Sequence, residues 1–184
     1  MNPIGATPDN KDWTWVLDRP CPECGAWVGA LPIAEIAEAN RGNVQGWLAV
    51  LDRDEAWLRT RPDPGVWSPL EYACHVRDVY RLFAQRLDLM LSEDDPAFAN
   101  WDPNLTQEEE RYDLADPRVV REELAAAGEA IATKFDKITP EQLARTGRRS
   151  DGANFTVETF ARYEIHDPVH HLWDVTGRTS SLGS

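Results

Sequence analysis

Apolar positions recur three and four residues apart in four separate stretches of this chain, the period of a helix with one buried face. In the first stretch Ile33, Ile36, Ala37, Val44, Trp47, Leu48, Leu51 and Leu58 predict a helix from 33 to about 60. Arg61-Pro62-Asp63-Pro64-Gly65 should stop it with turn chemistry. Gly42 and Gly46 lie inside it, where each costs roughly 1 kcal/mol against Ala; they are read as points of close approach by a neighbouring helix. The second helix has the clearest start signal. Ser68 is its N-cap, Pro69 its first residue, and Glu71 completes a capping box. Running to about Ser92, it turns His75, Val79, Leu82, Phe83 and Met90 inward and sets Arg77, Arg81 and Asp88 opposite.

From Asp94 to Ala115 the period breaks, with Pro96, Pro103 and the acidic run Glu108-Glu109-Glu110, a length that suits a crossover or a pocket-covering loop. Asp116-Pro117 restarts a helix whose buried stripe is Val120, Leu124, Ala127, Ile131, Phe135 and Ile138. Thr139-Pro140-Glu141-Gln142 begins a short helical turn, 147–153 is a polar loop, and the last helix covers roughly Thr156 to Thr176. No strand period is visible. The expected fold is all-α, a four-helix bundle with long crossover connections over 33–176. It is preceded by an arm, 1–32, and followed by a tail, 177–184. Pro3, Pro8, Pro20, Pro22 and Pro32 interrupt the arm, but Trp13, Trp15, Leu17 and Trp27 make it too apolar for a free end. It is expected to lie across the domain.

Composition narrows the classes of partner. The 184 residues carry a formal net charge of −13, which argues against a nucleic-acid partner, since phosphate binders cluster Lys and Arg. No apolar run approaches the roughly 20 residues of a membrane span, and no signal core is present, so the expected location is cytoplasmic. Three cysteines, an odd number, do not suggest a disulfide framework.

Three of the four histidines fall in one stretch, His166-Asp167-Pro168-Val169-His170-His171. Residues four apart on a helix differ by only about 40° around its axis, so His166 and His170 can converge on one ion. His171 is turned about 100° away, among Glu164, Asp167 and Asp174. His75, inward on the second helix, is the natural third ligand. Three imidazoles with an open position form the arrangement that a catalytic zinc uses. Spacing alone leaves a second reading open, that of hydrogen-bonded core histidines. The stretch is not a zincin His-Glu-x-x-His motif, because Asp167 replaces the glutamate and Pro168 stands between the histidines. No Gly-rich phosphate loop and no Gly-x-Ser-x-Gly elbow occurs.

Cys21-Pro22-Glu23-Cys24-Gly25 resembles one knuckle of a zinc ribbon. With Cys74 the sole remaining cysteine, no second Cys-x-x-Cys completes a tetrahedral site. The favoured reading is two reduced thiols in a turn, with a redox pair or a site shared between chains as alternatives.

Taken together, Trp-Ser-Pro-Leu-Glu-Tyr-Ala-Cys-His-Val-Arg-Asp at 67–78 and His-Asp-Pro-Val-His-His-Leu-Trp-Asp at 166–174 resemble the DinB-like (YfiT-like) metalloenzyme superfamily. That group includes thiol S-transferases and mycothiol-dependent maleylpyruvate isomerases. The resemblance implies a divalent metal, zinc or nickel, on His75, His166 and His170. It also implies transfer of a low-molecular-weight thiol, such as mycothiol, to an electrophilic small molecule. Asp78 and Asp174 are candidates to orient the histidines or accept a proton, and Arg86, projecting near the His75 direction, is the candidate anion binder. The rival reading is a non-catalytic metal-binding or interaction module, its bundle and arm serving a partner or a homodimer.

Overall fold

The structure, a computed structural model, describes residues 12–183; Pro3 and Pro8 of the arm lie outside them. Four long helices carry the fold: α1 (Ile36–Leu51), α3 (Pro69–Ser92), α5 (Pro117–Phe135) and α6 (Val157–Thr176). Two short ones, α2 (Glu55–Arg59) and α4 (Pro103–Glu109), sit in the connections. Both α1 and α3 pack against both α5 and α6, so α5 and α6 face each other across the bundle. Trp47, Leu70, Tyr80, Leu87, Leu124, Ile131, Phe160 and Ile165 fill the centre, all buried.

The helix starts follow the sequence. Ser68 Oγ accepts from the Glu71 amide at 3.3 Å while the Glu71 carboxylate accepts from the Ser68 amide at 2.8 Å, closing the capping box. Glu71 is itself buried, and it is held there by Arg61 Nε at 2.8 Å and Gln107 Nε2 at 3.1 Å. Asp116 caps α5, and Thr156 caps α6.

Three expectations need correction. The first helix stops at Leu51, because Asp54 accepts from the Trp57 amide and caps a separate α2. The connection after α3 contains α4, capped by Asp102. Strands β1 (Thr146–Arg148) and β2 (Asn154–Thr156) pair antiparallel, with Gly147 opposite Phe155; at three residues each, they are too short to show an alternating period. Of the two α1 glycines, Gly46 does mark a close approach, since a Cβ there would stand 2.5 Å from Leu172 Cδ2 of α6. Gly42 faces open space.

The arm carries two 3-10 turns, Thr14–Leu17 and Val28–Ala30, and a third, Ile33–Glu35, leads into α1; all three lie against α6. The tail joins it, for the Trp27 amide donates to Leu182 O at 2.9 Å and the Ser180 amide to Cys24 O at 2.7 Å. Helix α6 runs unbroken through Pro168, whose carbonyl accepts from Trp47 Nε1 of α1 at 3.2 Å.

Candidate metal centre

Helix α6 presents two i, i+4 pairs on adjacent faces, and the structure gives each a different set of companions. His166 and His170, rings 5.2 Å apart, meet Cys21 and Cys24 of the arm. Asp167 and His171 meet His75 of α3. The trio His75, His166 and His170 read from the sequence is therefore divided between two clusters.

In the first cluster His75 is buried between aromatic rings. It stacks on Trp101 at 5.4 Å and 7°, with Trp67 at 5.1 Å and the ring of His171 edge-on at 4.9 Å. Its Nε2 stands 3.3 Å from Asp167 Oδ1, and His171 Nε2 stands 3.6 Å from the same oxygen. Neither ring nitrogen of His75 nor Asp167 Oδ1 has a hydrogen-bond partner among the described residues. Nitrogen and oxygen ligands about 2.0–2.2 Å from a tetrahedral ion lie about 3.4 Å apart, so the spacing fits a shared cation. His171 Nδ1 and Asp174 Oδ2 are 2.8 Å apart. That contact places the proton on Nδ1 and leaves Nε2 as the donor to the site, the carboxylate–histidine arrangement of metal ligands.

The protonation states agree with this geometry. Burial lowers the pKa of His75 and keeps it neutral against the pull of Asp167. Burial works to raise the Asp167 carboxyl, but His171 and His75 outweigh it and hold the group below the usual carboxylate range. The site opens into a cavity of about 520 Å³ lined by Trp67, Tyr72, Tyr163 and Trp173 and by the carboxylates of Glu23, Asp63, Asp167 and Asp174. Among the described residues, no lysine or arginine lines it.

In the second cluster Cys21 Sγ lies 3.7 Å from His170 Nδ1, and Cys24 Sγ lies 3.7 Å from His166 Nε2. All four side chains are buried. Trp13 covers both histidines, its ring 5.4 Å from that of His166 and 4.9 Å from that of His170. Burial lowers the pKa of His166 to about 4, helped by His170, and also lowers that of His170. The Cys24 thiol is pushed up to about 12, again by burial.

The remaining candidates take other places. Asp174 contacts His171 as above. Asp78 binds Arg77 through both oxygens and accepts from Tyr112 Oη. Arg86 is buried between Phe83 and Phe98, donates to Ala99 O at 3.1 Å, and does not line the cavity. Sequence reasoning did not single out Asp167, and it did not bring histidines to the cysteine knuckle. The signal for the first was present, since Asp167 and His171 share the i, i+4 spacing of His166 and His170.

Comparison with protein families matches residues 36–175 to the DinB superfamily. The chain belongs to that superfamily. Among solved structures, YfiT from Bacillus subtilis, described as a probable metal-dependent hydrolase with an unusual four-helix bundle topology, superposes with a TM-score of 0.63 at 19% identity. The match covers 94% of this chain and 91% of YfiT. The mycothiol-dependent maleylpyruvate isomerase superposes with a TM-score of 0.58 at 10% identity, over 80% of this chain and 60% of that one. At these identities the likeness establishes the fold, the DinB-type helical bundle. No curated protein matches the chain in sequence. Among the described residues, no helix is long and apolar enough to cross a membrane.

Proposed function

We propose that this DinB-superfamily protein is a metal-dependent enzyme whose open site is His75, Asp167 and His171, acting on a small molecule held in the adjoining cavity. The observation that carries this reading is the convergence of His75 Nε2 and His171 Nε2 on Asp167 Oδ1, at 3.3 and 3.6 Å, with the buried His75 nitrogens lacking a hydrogen-bond partner among the described residues. Three protein ligands beside a cavity leave room for a substrate or nucleophile, as catalytic metal sites require. A divalent ion, zinc or nickel, would supply Lewis acidity there and lower the pKa of a bound thiol or water.

The chain's own groups define what enters. Asp174 orients His171, and Asp167 supplies the negative charge that the two neutral imidazoles lack. Trp67 and Trp101 pack against the ring of His75 and hold its orientation. With four carboxylates and, among the described residues, no lysine or arginine lining it, the cavity repels anionic ligands. A neutral sugar thiol such as mycothiol enters without that repulsion, whereas glutathione and bacillithiol bring carboxylates of their own. The favoured reaction is transfer of such a thiol to an uncharged electrophile. A second reading, attack by water, is supported by the same acidic lining and by the likeness to YfiT. The two are separated by incubating the metal-loaded protein with uncharged electrophiles, with and without mycothiol. Conjugate formation that requires His75 and His171 supports thiol transfer; thiol-independent turnover supports hydrolysis; no turnover of either kind leaves a binding module.

A further inference from the structure

The second cluster is built for a different task from the first. We infer that Cys21, Cys24, His166 and His170 bind a zinc ion as a closed structural site that fastens the N-terminal arm to α6. Two cysteines and two histidines are a donor set of structural zinc, in which every coordination position is filled by protein. Their ligand atoms all lie within 4.8 Å of one another. Sulfur at about 2.3 Å and nitrogen at 2.0–2.1 Å from a tetrahedral ion stand about 3.6 Å apart; the pairs Cys21–His170 and Cys24–His166 both stand 3.7 Å apart.

The surroundings suit a closed site. Two thiolates and two neutral imidazoles balance a doubly charged ion, so the loaded cluster carries no net charge into the apolar space beneath Trp13. Binding displaces the two thiol protons to solvent. His170 meets Cys21 through Nδ1 and turns Nε2 towards Glu23, 3.3 Å away, a carboxylate placed to fix the ring as carboxylates do for metal-binding histidines. The knuckle is a tight turn: the Gly25 amide donates to Cys21 O at 2.9 Å, and Gly25 takes φ +81°, which side chains disfavour. Arm and helix contribute two ligands each, so the ion is a crosslink. It also sets one wall of the cavity, because Trp13 and Glu23 of the arm line that space.

This inference stands apart from the catalytic reading, and the test separates them. Full-length protein, purified under reducing conditions, is loaded with zinc and, in parallel, with cobalt, and metal content is measured. Expected are two metal equivalents per chain, a thiolate-to-cobalt charge-transfer absorption, and Cys21 and Cys24 protected from thiol reagents until a chelator is added. Cys21→Ser/Cys24→Ser should lose one equivalent and the charge-transfer band, whereas His75→Ala/His171→Ala should keep the band while losing the other equivalent. Limited proteolysis of the cysteine variant should cut the arm at least tenfold faster. Cobalt-loaded wild type without thiolate charge transfer overturns the proposal, as does zinc-loaded protein whose Cys21 and Cys24 stay as reactive as in the metal-free form. Both of these readouts use the unmutated chain and hold even if the cysteine variant fails to fold.

Discussion

His171 and Asp174 stand one helical turn apart on α6, with Nδ1 and Oδ2 2.8 Å from each other, and this contact sets which nitrogen of His171 faces His75 and Asp167. Without it the ring can rotate and the tautomer is no longer fixed. Asp174→Asn is therefore expected to weaken metal binding at the open site by about 10- to 100-fold while leaving the fold intact, as read by competition with a chromogenic chelator and by circular dichroism.

The pair Arg61 and Glu71 stabilises the start of α3, the helix that carries His75. Glu71 is 1% exposed, and among the described residues Arg61 provides the countercharge in its salt bridge. Arg61→Leu leaves a buried carboxylate without it, which should cost about 3 kcal/mol. The midpoint of urea unfolding reads the loss. Ser68→Ala, which removes only the cap, should cost about 1 kcal/mol.

Asp78 ties α3 to the 3-10 turn at Tyr112–Leu114 through Tyr112. Burial works to raise its pKa, but the bonds from Arg77 and Tyr112 outweigh this and hold it below its ordinary value. A depressed carboxyl contributes stability above the unfolded-state pKa near 3.9 and loses it as pH falls through the lower folded value. Asp78→Asn should therefore cost about 1–3 kcal/mol at pH 7. The difference from wild type should shrink steadily below about pH 4. Denaturation curves at several pH values check this; a constant difference would contradict it.

The two glycines of α1 should respond differently to Ala. Gly42 faces open space, so Gly42→Ala should add about 0.5–1 kcal/mol by helix propensity alone. At Gly46 the new methyl meets Leu172 at 2.5 Å, and the gain should be offset by displacement of that side chain. Thermal melts of the two variants give the comparison.

The bundle was legible because its signals are local. The capping box at Ser68, the proline starts at Pro69 and Pro117, and the apolar stripes each depend on residues within a few positions. What was not legible depended on the third dimension. Cys-x-x-Cys at 21–24 looks incomplete in sequence because the side chains the structure brings to it, His166 and His170, lie more than 140 positions away and are histidines. The i, i+4 rule identifies His166 and His170 as a pair but not the partner each face meets, so spacing alone joins them to His75. Asp167 falls on the polar flank in a helical projection, although it sits one residue from His166 and repeats the same spacing with His171. Arg86 projects towards the interior, and Phe98, which comes from the irregular crossover, covers it on one side.

The open site on His75, Asp167 and His171 is tested most directly by the metal content of freshly purified His171→Ala beside wild type. The account predicts that the variant loses one metal equivalent per chain and keeps the thiolate-bound one. Unchanged metal content in His171→Ala, or loss of all metal only when Cys21 and Cys24 are replaced, would contradict it.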